Sequence, residues 1–262
     1  MHEQPGETER IHPGTPGRLN AGVVDWTQMR DCYGDVDRVP ELLERVERED
    51  DAEAWKELGY RLCLESDLVF PASFAALPRL VQLASSNPRA RALAGTIVQC
   101  AAGEHGCDRQ FADCADTIAE FCALLDLYLT SRPDDYPAAF LDLLAAKEQY
   151  HWSAGVGDFT DDFYHVACPH CDAEVTIAIG NYGRYSAIRD WNLGDVDRRD
   201  LRPASPEGLS GIGLWMYETA VRDGQEALAS GIAYLFGNGE CPRCASVFNI
   251  ADEYTFANCP SS

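Results

Sequence analysis

The chain of 262 residues carries 21 Lys+Arg against 43 Asp+Glu, a formal net charge of −22, with 46% hydrophobic and 24% charged residues. This is enough apolar material for one large or two modest globular cores, and too much for a disordered chain. The negative field repels nucleic-acid phosphates and anionic lipid and favours basic partners, and no run of about 18 apolar residues is present to cross a membrane.

Residues 1–22 are rich in Pro, Gly and Glu without periodicity and read as a flexible tail. They hold no apolar stretch of the signal-peptide kind. Eleven cysteines, an odd number, argue against a complete disulfide framework. The expectation is a cytoplasmic chain with reduced thiols.

From Val39 the apolar pattern turns helical, since Val39, Leu42, Leu43 and Val46 share one helix face. Trp55, Leu58 and Leu62 mark a second helix. Phe74, Leu77, Leu80, Val81 and Ala84 mark a third, in which Pro78 predicts a kink or a fresh start. Asn87-Pro88 reads as a cap with proline in the first turn, launching Leu93, Ile97 and Cys100. Two more helices carry Ile118, Cys122, Leu125 and Leu129, then Tyr136, Phe140, Leu143 and Leu144 behind the dipole-favoured pair Asp134 and Asp135. Six helices, each apolar on one side, must bury those sides against one another, and antiparallel stacking achieves this.

Within Asp31 to Ala84 stand Tyr33-Gly34, Val39-Pro40-x-Leu42-Leu43, Trp55-x-x-Leu58 and Pro71-Ala72-x-x-Ala75-Ala76-x-Pro78-x-Leu80. These marks resemble a family of bacterial HEAT-like repeat proteins. The family's loop before the Ala/Pro helix usually reads His-Gln-Gly, where this chain has Leu64-Glu65-Ser66. The later half resembles members that append a paired-knuckle zinc segment after a helix ending in Trp, here Trp152. The resemblance implies a mainly α fold: HEAT-like antiparallel helical repeats over 23–152, then a zinc-ribbon-like β segment over 153–262 with a helical insertion at about 190–236. Several family members look like immunity or accessory proteins encoded near toxins, which implies a protein partner.

The strongest motif is a repeated phrase, CPHC at Cys168–Cys171 and CPRC at Cys241–Cys244. Each Cys-x-x-Cys sets two thiolates on one tight turn, and two turns complete a tetrahedral shell with no open position. One structural zinc per chain is expected on Cys168, Cys171, Cys241 and Cys244, with iron as the minor alternative. Pro169 and Pro242 restrict φ inside each turn. The position after the second Cys favours φ > 0 and commonly holds Gly; here it is Asp172 in one turn and Ala245 in the other. Val175, Ile177 and Ile179 alternate as a half-buried strand would, and Phe248 and Ile250 do the same, a strand-knuckle-strand order that resembles a zinc ribbon. Between the knuckles, LRPASPEGLSGIG reads as a loop before two helices broken near Gly224. Leu214, Met216, Tyr217 and Ala220, then Leu228, Ile232 and Leu235, offer them a face for packing on the repeats.

Other groups are weaker. Cys100, Cys107, Cys114 and Cys122, with His105 among them, lack knuckle spacing, and buried thiols commonly act as small hydrophobes. Cys32 and Cys63 read as packing. His151, Asp158, Asp161, Asp162 and His165 form either a hydrolytic metal cluster or an acidic loop with turn chemistry. No HExxH, GxSxG or P-loop spacing accompanies them. His170 is expected to be exposed rather than ligating. Gly180, Tyr182, Arg184, Tyr185 and Trp191 mix aromatics with a cation, which suits either a partner surface or packing under a loop. The leading expectation is a non-enzymatic zinc-stabilised scaffold that binds another protein, in its specific form an immunity protein against a basic toxin. A metal-dependent hydrolase using 151–165 is the alternative, and nucleic acid is not an expected partner.

Overall fold

A computed structural model describes residues 24–64, 68–103, 107–161, 163–188 and 197–258. The expected tail at 1–22, the loop residues Glu65 and Ser66, His105, Asp162 and Trp191 lie outside the described residues. The fold is mainly helical, with small antiparallel sheets.

Helices α1 (Arg38–Glu49) and α2 (Ala52–Leu62) form an antiparallel pair whose turn is built from two aspartates. Asp50 takes the left-handed conformation at φ 49° and returns its N–H to the Val46 carbonyl, ending α1. Asp51 is extended, and its carboxylate accepts the Glu53 and Ala54 amides at 2.9 and 3.1 Å, starting α2. The Asp50 carboxylate also accepts the Trp55 indole N–H at 2.6 Å and the Asn87 amide at 2.8 Å, tying this turn to the next helix pair. Val39, Leu42, Leu43 and Val46 are buried, as their spacing predicts.

Two-residue strands β1 (Cys63–Leu64) and β2 (Leu68–Val69) pair before α3 (Pro71–Ala84). α3 runs on through Pro78, so no fresh helix starts there. A proline there has no N–H for the carbonyl four residues back, Phe74. That carbonyl instead faces the Cys114 thiol at 3.9 Å, a weak replacement. At α4 (Pro88–Gly103) the expected cap forms, the Asn87 side chain accepting the Arg89 and Ala90 amides at 2.9 and 3.3 Å. The short α5 (Asp108–Asp113) leads to α6 (Ala115–Thr130) and α7 (Tyr136–Ala146), which bury Ile118, Phe121, Leu125 and Leu129, and Phe140, Leu143 and Leu144. Asp142 of α7 is buried over Gly95 of α4, where a Cβ would lie 2.2 Å from its carboxylate. Gln99 donates to that carboxylate, and burial raises its pKa to about 7.

The acidic loop expected at 151–165 is instead largely a helix, α8 (Tyr150–Asp161), so the expected boundary between residues 152 and 153 falls inside an element. Trp152 docks on the Phe236 and Tyr254 rings at 4.7 and 5.8 Å between centroids. Gly155 lets α8 approach closely, since a Cβ there would meet the Tyr254 ring at 2.9 Å.

Strands β3 (Phe163–Ala167), β4 (Glu174–Ala178), β5 (Tyr185–Ala187) and β6 (Arg198–Asp200) form one antiparallel sheet in that order. β4 is buried on both faces rather than half-buried. Val175, Ile177 and Ile179 join the main core, while Ala178 packs with Tyr185 and Ala187 in a smaller cluster behind it. Helices α9 (Gly211–Arg222) and α10 (Glu226–Leu235) follow, separated as expected at Gly224, whose φ is 72°. They dock on α7: Trp215 stacks on Phe140 at 6.0 Å, and the buried Tyr136 hydroxyl donates to Asp223 at 2.9 Å. Strands β7 (Asn238–Glu240) and β8 (Val247–Asn249) form a second hairpin, and α11 (Ile250–Asn258) completes the described chain. One continuous apolar core runs from Val39 to Tyr254. No helix among the described residues is long and apolar enough to cross a membrane.

Candidate metal centre

The two Cys-x-x-Cys turns sit at equivalent places, one joining β3 to β4 and the other joining β7 to β8. Their backbones match closely. Asp172 donates its N–H to the Cys168 carbonyl at 2.9 Å, and Ala245 donates to the Cys241 carbonyl at 2.8 Å. Cys168 and Cys241 in turn donate to the carbonyls of Ala173 and Ser246, both at 2.9 Å. Asp172 and Ala245 have φ of 54° and 59°, the left-handed conformation expected after the second cysteine. Neither is glycine, so the turn is held against its local preference, more so at alanine.

The hairpins meet tip to tip. Sγ of Cys168 lies 3.7 Å from Sγ of Cys244, Sγ of Cys171 lies 3.8 Å from Sγ of Cys241, and all four sulfurs are within 4.8 Å of one another. A tetrahedral ion with metal–sulfur bonds of about 2.3 Å has sulfur–sulfur edges of about 3.8 Å. The donor set therefore fits such an ion in size as well as in kind. Four thiolates at these separations repel strongly, and a divalent cation removes that repulsion.

The protein prepares the sulfurs unequally. Cys168 and Cys241 are fully buried, while Cys244 is exposed. Burial pushes the Cys168 thiol up to about 12, offset by the amides of His170 and Cys171 that point at its sulfur. The Ser246 hydroxyl and amide pull Cys244 down to about 6. Sequence reasoning did not single out Ser246, although a hydroxyl two residues beyond a knuckle cysteine is a readable sign of a thiolate donor.

Two further links hold the hairpins in register. The Ser186 hydroxyl of β5 donates to the Glu240 carbonyl of β7 at 2.6 Å, and Arg202 and Asn238 exchange backbone bonds at 2.9 and 2.8 Å. His170 is exposed, as expected.

No known protein family, curated protein or solved structure matches the chain.

Among the described residues, the four knuckle cysteines form the one group placed to hold a metal ion. Cys100, Cys107, Cys114 and Cys122 are not brought together as a ligand set; Cys100 and Cys107 are buried, and Cys114 and Cys122 are half-buried. The Cys63 thiol lies against that of Cys100, and this contact and burial raise it above the ordinary thiol range. The His/Asp cluster is only partly described, the Asp158 and Asp161 side chains and Asp162 lying outside the described residues. His151 and Asp161 occupy opposite ends of α8, about 15 Å apart at 1.5 Å per residue, too far for one ion. His151 is half-buried against Trp152, with ring centroids 4.8 Å apart, and His165 of β3 hydrogen-bonds Thr176 at 3.2 Å. Of the aromatic segment, Tyr185 packs inward under the Arg198 guanidinium and Tyr182 faces solvent.

Proposed function

We propose that Cys168, Cys171, Cys241 and Cys244 hold one zinc ion that closes the C-terminal region, and that the molecule is a non-enzymatic scaffold gripping a basic protein. The observation that carries the first part is the sulfur geometry. Four protein sulfurs at tetrahedral spacing leave no position for water or substrate, so the ion acts as a crosslink rather than a catalyst. Iron is the competing occupant, since four thiolates suit it as well. Paired knuckles on two hairpins support the zinc-ribbon description, and α1–α2 and α3–α4 packed as antiparallel pairs support the helical-repeat one.

The partner side of the reading rests on how charge is distributed. Arg38, Arg61, Arg79 and Arg89 of the helical layer are engaged by Glu57, Asp31, Glu47 and Asp50, so the excess carboxylates face solvent unneutralised. Beside them opens a groove of about 600 Å³ lined by Tyr33, Asp35, Glu53, Lys56, Glu57, Tyr60 and Arg61, in which Arg61 pairs with Asp35 and Glu57. Tyr33 and Tyr60 are 67% and 56% exposed; Arg61 lies over the Tyr33 ring at 5.0 Å, and Tyr60 beside Glu53 offers an aromatic face to a partner's lysine or arginine. An immunity protein neutralising a basic toxin is the specific form of this reading.

Affinity capture from the native host at low salt tests it. The expected result is a stoichiometric basic protein that binds more slowly as salt rises and is lost with Tyr33→Ala and Tyr60→Ala together. Return of the lone chain, or capture indifferent to both substitutions, contradicts the binding reading and leaves the zinc assignment standing.

A further inference from the structure

We propose that the cavity enclosed by α7, α8 and α10 binds a small apolar carboxylate, with Arg184 holding its head group. The cavity is about 390 Å³, within the range of small-molecule sites. Its floor is apolar: Phe140, Val156 and Ile179 are buried, and Leu141 and Leu228 line the sides. Its polar groups, Asn181, Arg184 and Gln225, come from the β4–β5 connection and the start of α10. An apolar body and a polar head are thus accommodated by different walls.

Charge chooses the head group. Among the described residues no Asp or Glu lines this cavity, in a chain of formal net charge −22. Arg184 lines both this cavity and the adjoining cleft, where it donates to the Ser230 hydroxyl at 3.0 Å and lies over the Tyr234 ring at 4.6 Å. Unlike Arg38, Arg61, Arg79, Arg199 and Arg222, it makes no ion pair among the described residues. A guanidinium has five donor hydrogens in a fork that matches a carboxylate, so capacity remains for a bidentate anion. One cation in a strongly negative field balances a monoanion and leaves a dianion such as phosphate undercompensated, which favours the carboxylate.

A glycine in the wall points the same way. Gly155 of α8 is required by packing, because a Cβ there would strike Tyr254. Two residues on, Gly157 also lines the cavity, yet among the described residues a Cβ there would meet nothing nearer than Leu141 Cδ1 at 3.8 Å. Packing does not demand that second glycine, and glycine in a helix is about 1 kcal/mol less favourable than alanine. What it leaves is open volume.

The test is calorimetric titration of the purified full chain with octanoate and, as the neutral probe of equal length, 1-octanol. Octanoate is expected to bind about tenfold or more tightly than octanol, a preference that Arg184→Gln removes while octanol binding persists. Gly157→Leu, which fills the cavity and favours the helix, is expected to abolish binding of both. Equal affinities in the native chain, no octanoate binding, or octanoate binding unchanged in either folded variant overturns the proposal. If Arg184→Gln does not fold, Gly157→Leu decides alone.

Discussion

The helices from α1 to α7 and the two knuckle hairpins reach stability by different routes. The helical layer closes on itself: Leu42, Leu58, Leu80, Ile97, Phe121, Leu125 and Phe140 are all fully buried, each contributed by a helix long enough to satisfy its own backbone. The hairpins cannot do this. β7 and β8 have three residues each, and their tips project Cys171 and Cys244 to the surface side of the core. A two-stranded hairpin alone is marginal in water. What the short β7–β8 hairpin lacks in length, four sulfurs placed to hold one ion can supply.

The largest effect should therefore come from removing the ion or one ligand. Chelation, or Cys168→Ser, is expected to lower the melting temperature by more than 10 °C and to expose the hairpins to proteolysis first, since structural zinc carries a binding free energy on the order of 10 kcal/mol. Limited proteolysis with mass mapping reads which region opens. If the helices and hairpins are cleaved together, the two-route comparison fails.

Phe121→Ala attacks the other region. It should cost about 3–5 kcal/mol by denaturant titration, while the bound metal stays at one ion per chain. Loss of metal in this variant would show that the two regions are not separable in the way described.

Asp142 sharpens the helical side through pH. Its folded pKa is raised, from 3.8 to about 7, by burial. The folded state then binds more protons than the unfolded state between those values, so stability is fully present below about pH 4 and falls as pH rises through 7. Asp142→Asn removes this dependence, and its advantage over the native chain should grow between pH 5 and pH 8 by about 2–3 kcal/mol. Parallel melting curves at all pH values would contradict it.

The smallest change is Ala245→Gly, which relieves the left-handed strain at φ 59°. A gain of less than about 1 kcal/mol in the metal-loaded protein is expected, because glycine also enlarges the unfolded ensemble. Asp172→Gly should gain still less, aspartate being the better tolerated of the two.

Much of this architecture can be read from local signals. The periodicity of Val39 to Val46, the Asn87 cap and the doubled CPxC phrase each encode their outcome within a few residues. The errors arise where the outcome depends on distant partners. α3 continues through Pro78, and the carbonyl this leaves unbonded faces Cys114, far along the chain. The segment at 151–165 reads as a loop, yet Gly155 within it is a helical contact point for Tyr254. Likewise β4 is buried on its second face by Tyr185 and Ala187, residues whose placement no alternation within β4 reveals. Asp142 over Gly95 is equally silent in sequence, since neither residue marks the other.

X-ray absorption at the metal edge of the purified protein tests the central claim most directly. The account predicts zinc in a shell of four sulfurs at about 2.3 Å with no oxygen or nitrogen ligand. Absence of metal, or a shell in which lighter ligands replace any sulfur, would contradict it.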